Sequence, residues 1–254
     1  MIQLNCLPLR LAFDQKTLAV RLNEKKLVPS FVRTVGEMRP VMLSPHVATP
    51  DSRVCYWVYR HVERPVDKKA FKGYELEYDV TVLDHSFLGP ERNKTLGHYH
   101  STAPDGLAYP EVYEVLYGQA HFILQKRAAH GSREVVDVKV ITADEGDRVV
   151  VEPGYGHVSI NASHEPLVLA NVQCTLNEND YSPYVEKHGA AYYEFGSEKF
   201  LPNPHYHKVP PLRLVQASSF KHVPKFGEGN LYANFLAGPR RYEFLRSPSR
   251  YWRA

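Results

Sequence analysis

Four residues able to ligate a metal are spread over three strand-like runs, and only a fold that closes those runs on one another can use them together. Between Thr95 and Leu124 the chain reads T-L-G-H-Y-H-S-T-A-P-D-G-L-A-Y-P-E-V-Y-E-V-L-Y-G-Q-A-H-F-I-L, and P-G-Y-G-H-V-S-I-N follows at residues 153–161. His98 and His100 are two apart in a strand-like run, so both rings leave the same face. Glu111 opens the next run and shares its face with Tyr113 and Val115. His157 opens the last and shares its face with Ser159 and Asn161. Three imidazoles and a carboxylate are the donor types of a mononuclear transition-metal site. The chain has 13 histidines, and a lone histidine in a strand is ordinarily a surface or hydrogen-bonded residue. A second H-x-H pair, His205 and His207, lies among prolines with no carboxylate strand after it, and reads as a loop.

The rest of the chain predicts an all-β fold. Aromatic and β-branched runs begin at Val54 (VCYWVYRHV) and Tyr74 (YELEYDVTVL). Further strands are expected at 112–117, 119–126, 134–142, 147–152, 156–162 and 166–173, separated by turns containing Gly, Asp or Pro. Helical periodicity is scarce, and the best candidate is SPYVEKHGAA, with Ser182 before a proline and Gly189 near its end. Many short strands without a long repeat argue for a sandwich or barrel. At 254 residues and 43% hydrophobic content, the chain can bury one substantial core. The expected organisation is N-terminal strands and a loop at 1–50, a barrel with the metal site at 51–195, and a C-terminal extension at 196–254.

Charge and cysteines exclude some classes. The net charge of +3 is mild, and the one basic cluster, Arg240, Arg241, Arg246, Arg250 and Arg253, is interleaved with Tyr242, Phe244, Tyr251 and Trp252. This reads as a tail packing its aromatics on the barrel or a second subunit, with no nucleic acid as partner. Cys6, Cys55 and Cys174 are odd in number and unpatterned, which implies neither a disulfide framework nor a cysteine zinc site. No segment has the length of a membrane span, and the N-terminus lacks a leader pattern, so no membrane and a cytoplasmic location are expected.

These motifs resemble those of the cupin superfamily, whose fold is a double-stranded β-helix, or jelly-roll barrel. Gly97, His98, His100, Glu111 and Gly118 fall on its first motif, and Gly146, Gly154, His157 and Asn161 on its second. Two departures are visible: Glu152 replaces a proline, and ten residues separate His100 from Glu111 where most cupins have three or four. That longer loop lies beside the expected metal. Within the superfamily the chain is similar to the cupin-type glucose-6-phosphate isomerases of archaea, through Thr95 to His100, Glu111 to Gly118, Leu124-Gln125 and His157 to Pro166; the resemblance covers about residues 54–190.

The resemblance implies metal-dependent interconversion of glucose 6-phosphate and fructose 6-phosphate, as in glycolysis and gluconeogenesis, by a homodimer. It implies one divalent ion on His98, His100, Glu111 and His157, with Fe²⁺ favoured and Mn²⁺, Ni²⁺ or Zn²⁺ able to serve. Such an ion stabilises the charge on O1 and O2 of an enediol. Glu111 is the implied proton shuttle, although ligation weakens a carboxylate as a base; a hydride shift needs no base and stands beside it. Tyr113 would hydrogen-bond the substrate. Thr81, Thr95 and Gly97, with Tyr56 and Tyr181, would hold the phosphate through hydroxyl and backbone N–H donors. Gln173 and Asn179 stand where the family has a tyrosine and a histidine, which keeps open a non-catalytic sugar-phosphate-binding cupin. A non-haem iron oxygenase would use the same ligands and is the other alternative.

Overall fold

The Leu76–Leu83 run alternates apolar and polar residues, which ordinarily means one face on the core and one in water, yet every residue in it is buried. The computed structural model describes residues 1–129, 132–196, 199–219 and 226–253. The strands in chain order are β1 (Ile2–Gln3), β2 (Leu11–Asp14), β3 (Ala19–Leu22), β4 (Lys25–Lys26), β5 (Phe31–Thr34), β6 (Val54–Tyr59), β7 (Leu76–Leu83), β8 (Tyr99–His100) and β9 (Glu111–Tyr117). They continue as β10 (Ala120–Arg127), β11 (Val135–Ala143), β12 (Arg148–Val151), β13 (Tyr155–Asn161), β14 (Leu167–Cys174), β15 (Asn179–Asp180), β16 (Tyr192–Phe195), β17 (Lys199–Pro202) and β18 (Arg213–Gln216). The α-helices are short: α1 (Val35–Met38), α2 (Lys68–Gly73), α3 (Ser182–Glu186) and α4 (Leu231–Ala237).

Two sheets make the barrel, one ordered β12-β9-β14-β7-β6-β5 and the other β13-β10-β11-β18. This is the all-β barrel that the strand pattern predicts, and the eight strands expected from Val54 to residue 173 form within a few residues of their expected bounds. Tyr113, Val115, Phe122, Leu124, Val149, Val158 and Leu169 pack between the sheets as one core. A second core lies on the outer face of the six-stranded sheet. There Tyr78, Val80 and Val82 of β7, Val168, Ala170 and Val172 of β14, and Val112 and Leu116 of β9 meet Leu9, Leu11 and Phe13 from the N-terminal sheet (order β1-β2-β3-β4) and Leu231, Tyr232, Phe235, Tyr242, Phe244 and Leu245 from the C-terminal segment.

The alternation in β7 is therefore inverted. Its apolar positions point outward to a cover made by both ends of the sequence, and Glu77, Asp79 and Thr81 take the other face. The tail packs its aromatics on its own barrel, as expected, while Arg240, Arg241, Arg246, Arg250 and Arg253 are exposed. Buried Glu114 fastens it: Oε2 accepts from Leu231 N at 2.8 Å, and Arg148 pairs with Oε1 at 3.2 Å. Asn230 caps α4 by accepting from Ala233 N.

Of the expected helix SPYVEKHGAA only Ser182–Glu186 is helical, and Tyr181 rather than Ser182 is its cap residue; the Ser182 hydroxyl donates to Asp180 at 2.6 Å. His205 and His207 lie in a loop, with the His205 ring against His188 at 4.3 Å between centroids. Among the described residues no helix is long and apolar enough to cross a membrane.

Candidate metal centre

Three separate pieces of backbone converge on the site. His98 and His157 form an antiparallel bridge, with His157 N donating to His98 O at 3.1 Å. The residue just before β8 thus bridges to β13, β8 itself pairs with β15, and Glu111, at the start of β9, enters from the six-stranded sheet. The ring centroids of His98 lie 5.1 Å from His100 and 4.4 Å from His157, and those of His100 and His157 are 5.2 Å apart. Glu111 Oε2 is 3.3 Å from His100 Nε2 and 3.4 Å from His157 Nε2. One ligand atom from each of the four residues lies within 4.8 Å of all the others. The four therefore meet at one point, as a metal site requires.

Their partners orient them. His100 Nδ1 lies 2.7 Å from Tyr109 O, an acceptor only, so this nitrogen carries the proton and Nε2 keeps its lone pair. Asn171 Nδ2 donates to Glu111 Oε1 at 2.6 Å, which leaves Oε2 for the cluster. His100 Nε2, Glu111 Oε2 and His157 Nδ1 are buried without a hydrogen-bond partner. Orphaned buried acceptors are costly, and two of these, His100 Nε2 and Glu111 Oε2, face one another across the point of convergence. A divalent cation fits this donor set: mixed imidazole and carboxylate ligation suits first-row transition metals. The Tyr113 hydroxyl lies 3.0 Å from His157 Nε2, so it occupies the lone pair that such an ion would take.

Burial sets the protonation of the cluster. It holds His98 well below the ordinary histidine value, and the nearness of the His157 and His100 rings adds to the effect. Burial likewise brings His157 down from 6.5 to about 4, against the pull of Glu111. For Glu111 burial works upward, but the neighbouring His100 and His157 rings outweigh it and leave the carboxyl below its usual value. The site is thus ready for a cation, with the His98 and His157 rings neutral and the carboxylate ionised at neutral pH. In the metal-free chain the His157 ring is expected to stay neutral down to about pH 4, which imidazole NMR titration reads directly; a midpoint near 6.5 would contradict it. Because the unfolded chain takes up this proton first as pH falls, the His157 contribution to stability is complete above pH 6.5 and lost toward pH 4. That loss amounts to about 3 kcal/mol.

A narrow cleft of about 60 Å³ opens beside the cluster. Tyr56, Thr81, Thr95, Gly97, Tyr113 and Tyr181, singled out in the sequence as substrate-side residues, all line it. Several of them have donors to spare. Thr95 Oγ1 accepts from Ser159 N at 3.0 Å and Tyr56 Oη from Leu96 N at 3.4 Å, so both hydroxyl hydrogens are free. The Gly97 N–H has no protein acceptor among the described residues. Burial, with Glu111 beside it, pushes the Tyr113 hydroxyl well above its ordinary value and keeps it protonated.

Sequence reasoning missed Arg60, Asp79 and Arg33 here. Arg60 donates to Glu77 at 2.6 Å and to Asp79 at 3.2 Å, and Gln173 Nε2 donates to the same two carboxylates at 3.0 and 3.3 Å. Burial and Glu77 raise the Asp79 carboxyl to about 8 against the pull of Arg60. Arg33 lies 5.5 Å over the Tyr181 ring at the mouth, with a buried Nε that lacks a partner. Asp79 lies on the face that the alternation of β7 assigns to water, and Arg33 lies in a segment that reads as an outer layer, so neither carried a signal. Asn179, one of the two departures from the family pattern, accepts from Asn177 at 2.9 Å and lines the same cleft.

A family model described as "Glucose-6-phosphate isomerase (GPI)" matches residues 32–211. The chain is 29% identical over 157 residues to a glucose-6-phosphate isomerase of Pyrococcus furiosus, an alignment covering 61% of this chain and 74% of that one. It is 27% identical over 116 residues to the enzyme of the same name from Thermococcus onnurineus, covering 46% of this chain and little more than half, 56%, of the other. Among solved structures, the vicilin from Solanum melongena aligns with 54% of this chain and 33% of its own at 15% identity and a TM-score of 0.36, too distant to carry an argument.

Proposed function

Because this chain belongs to the glucose-6-phosphate isomerase family, we propose that it is a metal-dependent aldose–ketose isomerase that interconverts glucose 6-phosphate and fructose 6-phosphate. The observation that carries the metal dependence is the convergence of His98, His100, Glu111 and His157 with orphaned acceptors at their meeting point. A bound divalent cation would supply Lewis-acid stabilisation of the negative charge that develops on O1 and O2. The finer parts of the reading, Fe²⁺ as the resident ion, a cytoplasmic location and a homodimer, rest on the family resemblance alone.

The residues divide the remaining work. The free hydroxyls of Thr95 and Tyr56 and the N–H of Gly97 form a donor set for a phosphate dianion. The Arg33 guanidinium at the mouth adds charge. Thr81 and Tyr181 close the cleft between this end and the cluster. Tyr113 holds its proton and donates it toward the sugar oxygens once His157 Nε2 is otherwise engaged. Glu111 is the candidate to move a proton between C1 and C2, but its Oε1 is taken by Asn171 and its Oε2 faces the cluster, so a hydride shift, which needs no base, stands beside it. Asp79, whose carboxyl burial and Glu77 push upward against the pull of Arg60, lies on the same cleft wall.

The test is a coupled isomerase assay on protein stripped of metal and reloaded in turn with Fe²⁺, Mn²⁺, Ni²⁺ and Zn²⁺. Conversion that returns with at least one ion is the expected outcome. Absence of conversion with all four would overturn the proposal. Run in deuterated water, the same assay separates the two transfer routes, since deuterium at C1 or C2 of the product marks proton transfer and its absence a hydride shift.

A further inference from the structure

A second cleft lies on the other side of β8 from the candidate metal centre. It is walled by the end of β10, by the long loop between His100 and Glu111, and by the last described residues of the tail. Its volume is about 370 Å³, at the lower end of the roughly 300–1,000 Å³ of ligand pockets. Loop and tail are tied together here, because Ser249 N donates to Asp105 Oδ2 at 2.9 Å. The Trp252 ring is braced by Phe244 at 5.8 Å.

The chemistry of the wall is cationic and aromatic. Arg127 is the central residue: its side chain is only 8% exposed, and its guanidinium stacks 3.8 Å over the Tyr99 ring. Its nearest carboxylate, Asp180, forms an ion pair with it at 3.9 Å, and the guanidinium makes no hydrogen bond to a described residue. A guanidinium that lines a cleft with donors to spare can take an oxyanion there. Lys126 and Arg253 add two more positive charges at the rim. Glu152 is the one carboxylate in the wall among the described residues, and Lys139 pairs with it at 3.1 Å. The cleft therefore carries net positive charge. Tyr155, with Lys126 over its face at 5.9 Å, and Trp252 offer flat apolar surfaces beside the cations.

We propose that this cleft is a binding site for a nucleotide-type ligand, a phosphorylated anion carrying a flat ring. Arg127 and Lys126 take the phosphate, and Trp252 and Tyr155 take the ring. The site is separate from the substrate cleft, and the strand that carries His100 divides the two.

Calorimetric titration of the full chain with AMP, adenosine and inorganic phosphate tests it. AMP is expected to bind once per chain, with adenosine and phosphate each at least about tenfold weaker. Arg127→Gln should weaken AMP by at least about tenfold, as loss of a charge-assisted contact predicts. Lys126→Gln, at an exposed position where folding is not at stake, should weaken it severalfold. Thr95→Val, in the other cleft, should leave it unchanged. As an independent readout, Trp252 emission in a Trp57→Phe background should change on AMP addition with the same affinity. No binding at millimolar AMP, binding that neither substitution at Arg127 nor at Lys126 weakens, phosphate binding as tight as AMP, or a Thr95→Val effect equal to that of Arg127→Gln would each overturn the proposal.

Discussion

Glu111→Gln is expected to lower kcat/KM for isomerisation by about 10³-fold, to reduce bound metal, and at the same time to make the metal-free chain more stable. The three effects share one cause. Asn171 Nδ2 donates to Oε1 at 2.6 Å, so a glutamine must keep its carbonyl oxygen there and turn its NH₂ group to where Oε2 now lies. That group then sits 3.3 Å from His100 Nε2 and 3.4 Å from His157 Nε2. It would donate to lone pairs that are otherwise available to a cation, and it removes the negative charge. Losing a charged ligand and its share of transition-state stabilisation amounts to about 4 kcal/mol, or three powers of ten in rate. The orphaned acceptors acquire a donor, which stabilises the apo fold by about 1 kcal/mol. Isomerase assay, metal analysis and urea unfolding of the stripped protein read the three effects separately. A variant that keeps both its metal and its turnover would remove Glu111 from the site.

Gly97→Ala is expected to destabilise the fold by about 3 kcal/mol. Gly97 has φ +87°, and a Cβ there would stand 2.6 Å from Val158 Cγ2 and 2.7 Å from Tyr184 Cδ1. The backbone conformation alone costs a non-glycine residue about 1–2 kcal/mol, and forcing a methyl group into a packed wall adds about 1–3 kcal/mol. Gly106 provides the control. Its φ is +93°, yet nothing lies within 4 Å of a Cβ built on it, so Gly106→Ala should cost only the backbone strain, about 1 kcal/mol. Urea unfolding of the two variants separates conformation from packing. Equal losses would mean that Val158 and Tyr184 can retreat from Gly97. Since Gly97 also offers its N–H to the cleft, the substitution should raise KM for the phosphorylated substrate.

Much of this was legible in the sequence because it depends on period and spacing. His98 and His100 share a strand face, Glu111 and His157 each open a strand, and barrel closure brings the four together. The strands from Val54 to Cys174 were recognisable because β-branched and aromatic runs end in turn residues. What was not legible depends on partners distant in sequence. The polar face of β7 reads as solvent-facing, and only the cover over its other face shows that Glu77, Asp79 and Thr81 are turned inward. Arg33 comes to lie over Tyr181, beside the cleft, because β5 extends the six-stranded sheet by pairing with β6, from a segment with no motif of its own. Helices α2 and α4 are too short for their periodicity to stand out, and tertiary packing rather than propensity holds them. Arg60, Asn171 and Gln173 act through hydrogen bonds to carboxylates on neighbouring strands, and no local pattern encodes such pairs.

The inverted alternation of the six-stranded sheet also sets a schedule for synthesis. Its last strand ends at Cys174, while the helix that covers its outer face begins at Leu231, 57 residues later. At about 5–20 residues per second, the ribosome takes roughly 3–11 s to supply them. For that interval the part of the outer face that packs on the tail, Tyr78 against Tyr232 at 5.0 Å among it, lacks its cover, while the N-terminal sheet is already made. A nascent chain of this kind depends on whatever shields such a face in the cell until its own tail arrives, and a slow codon or stall between residues 175 and 230 would lengthen the wait.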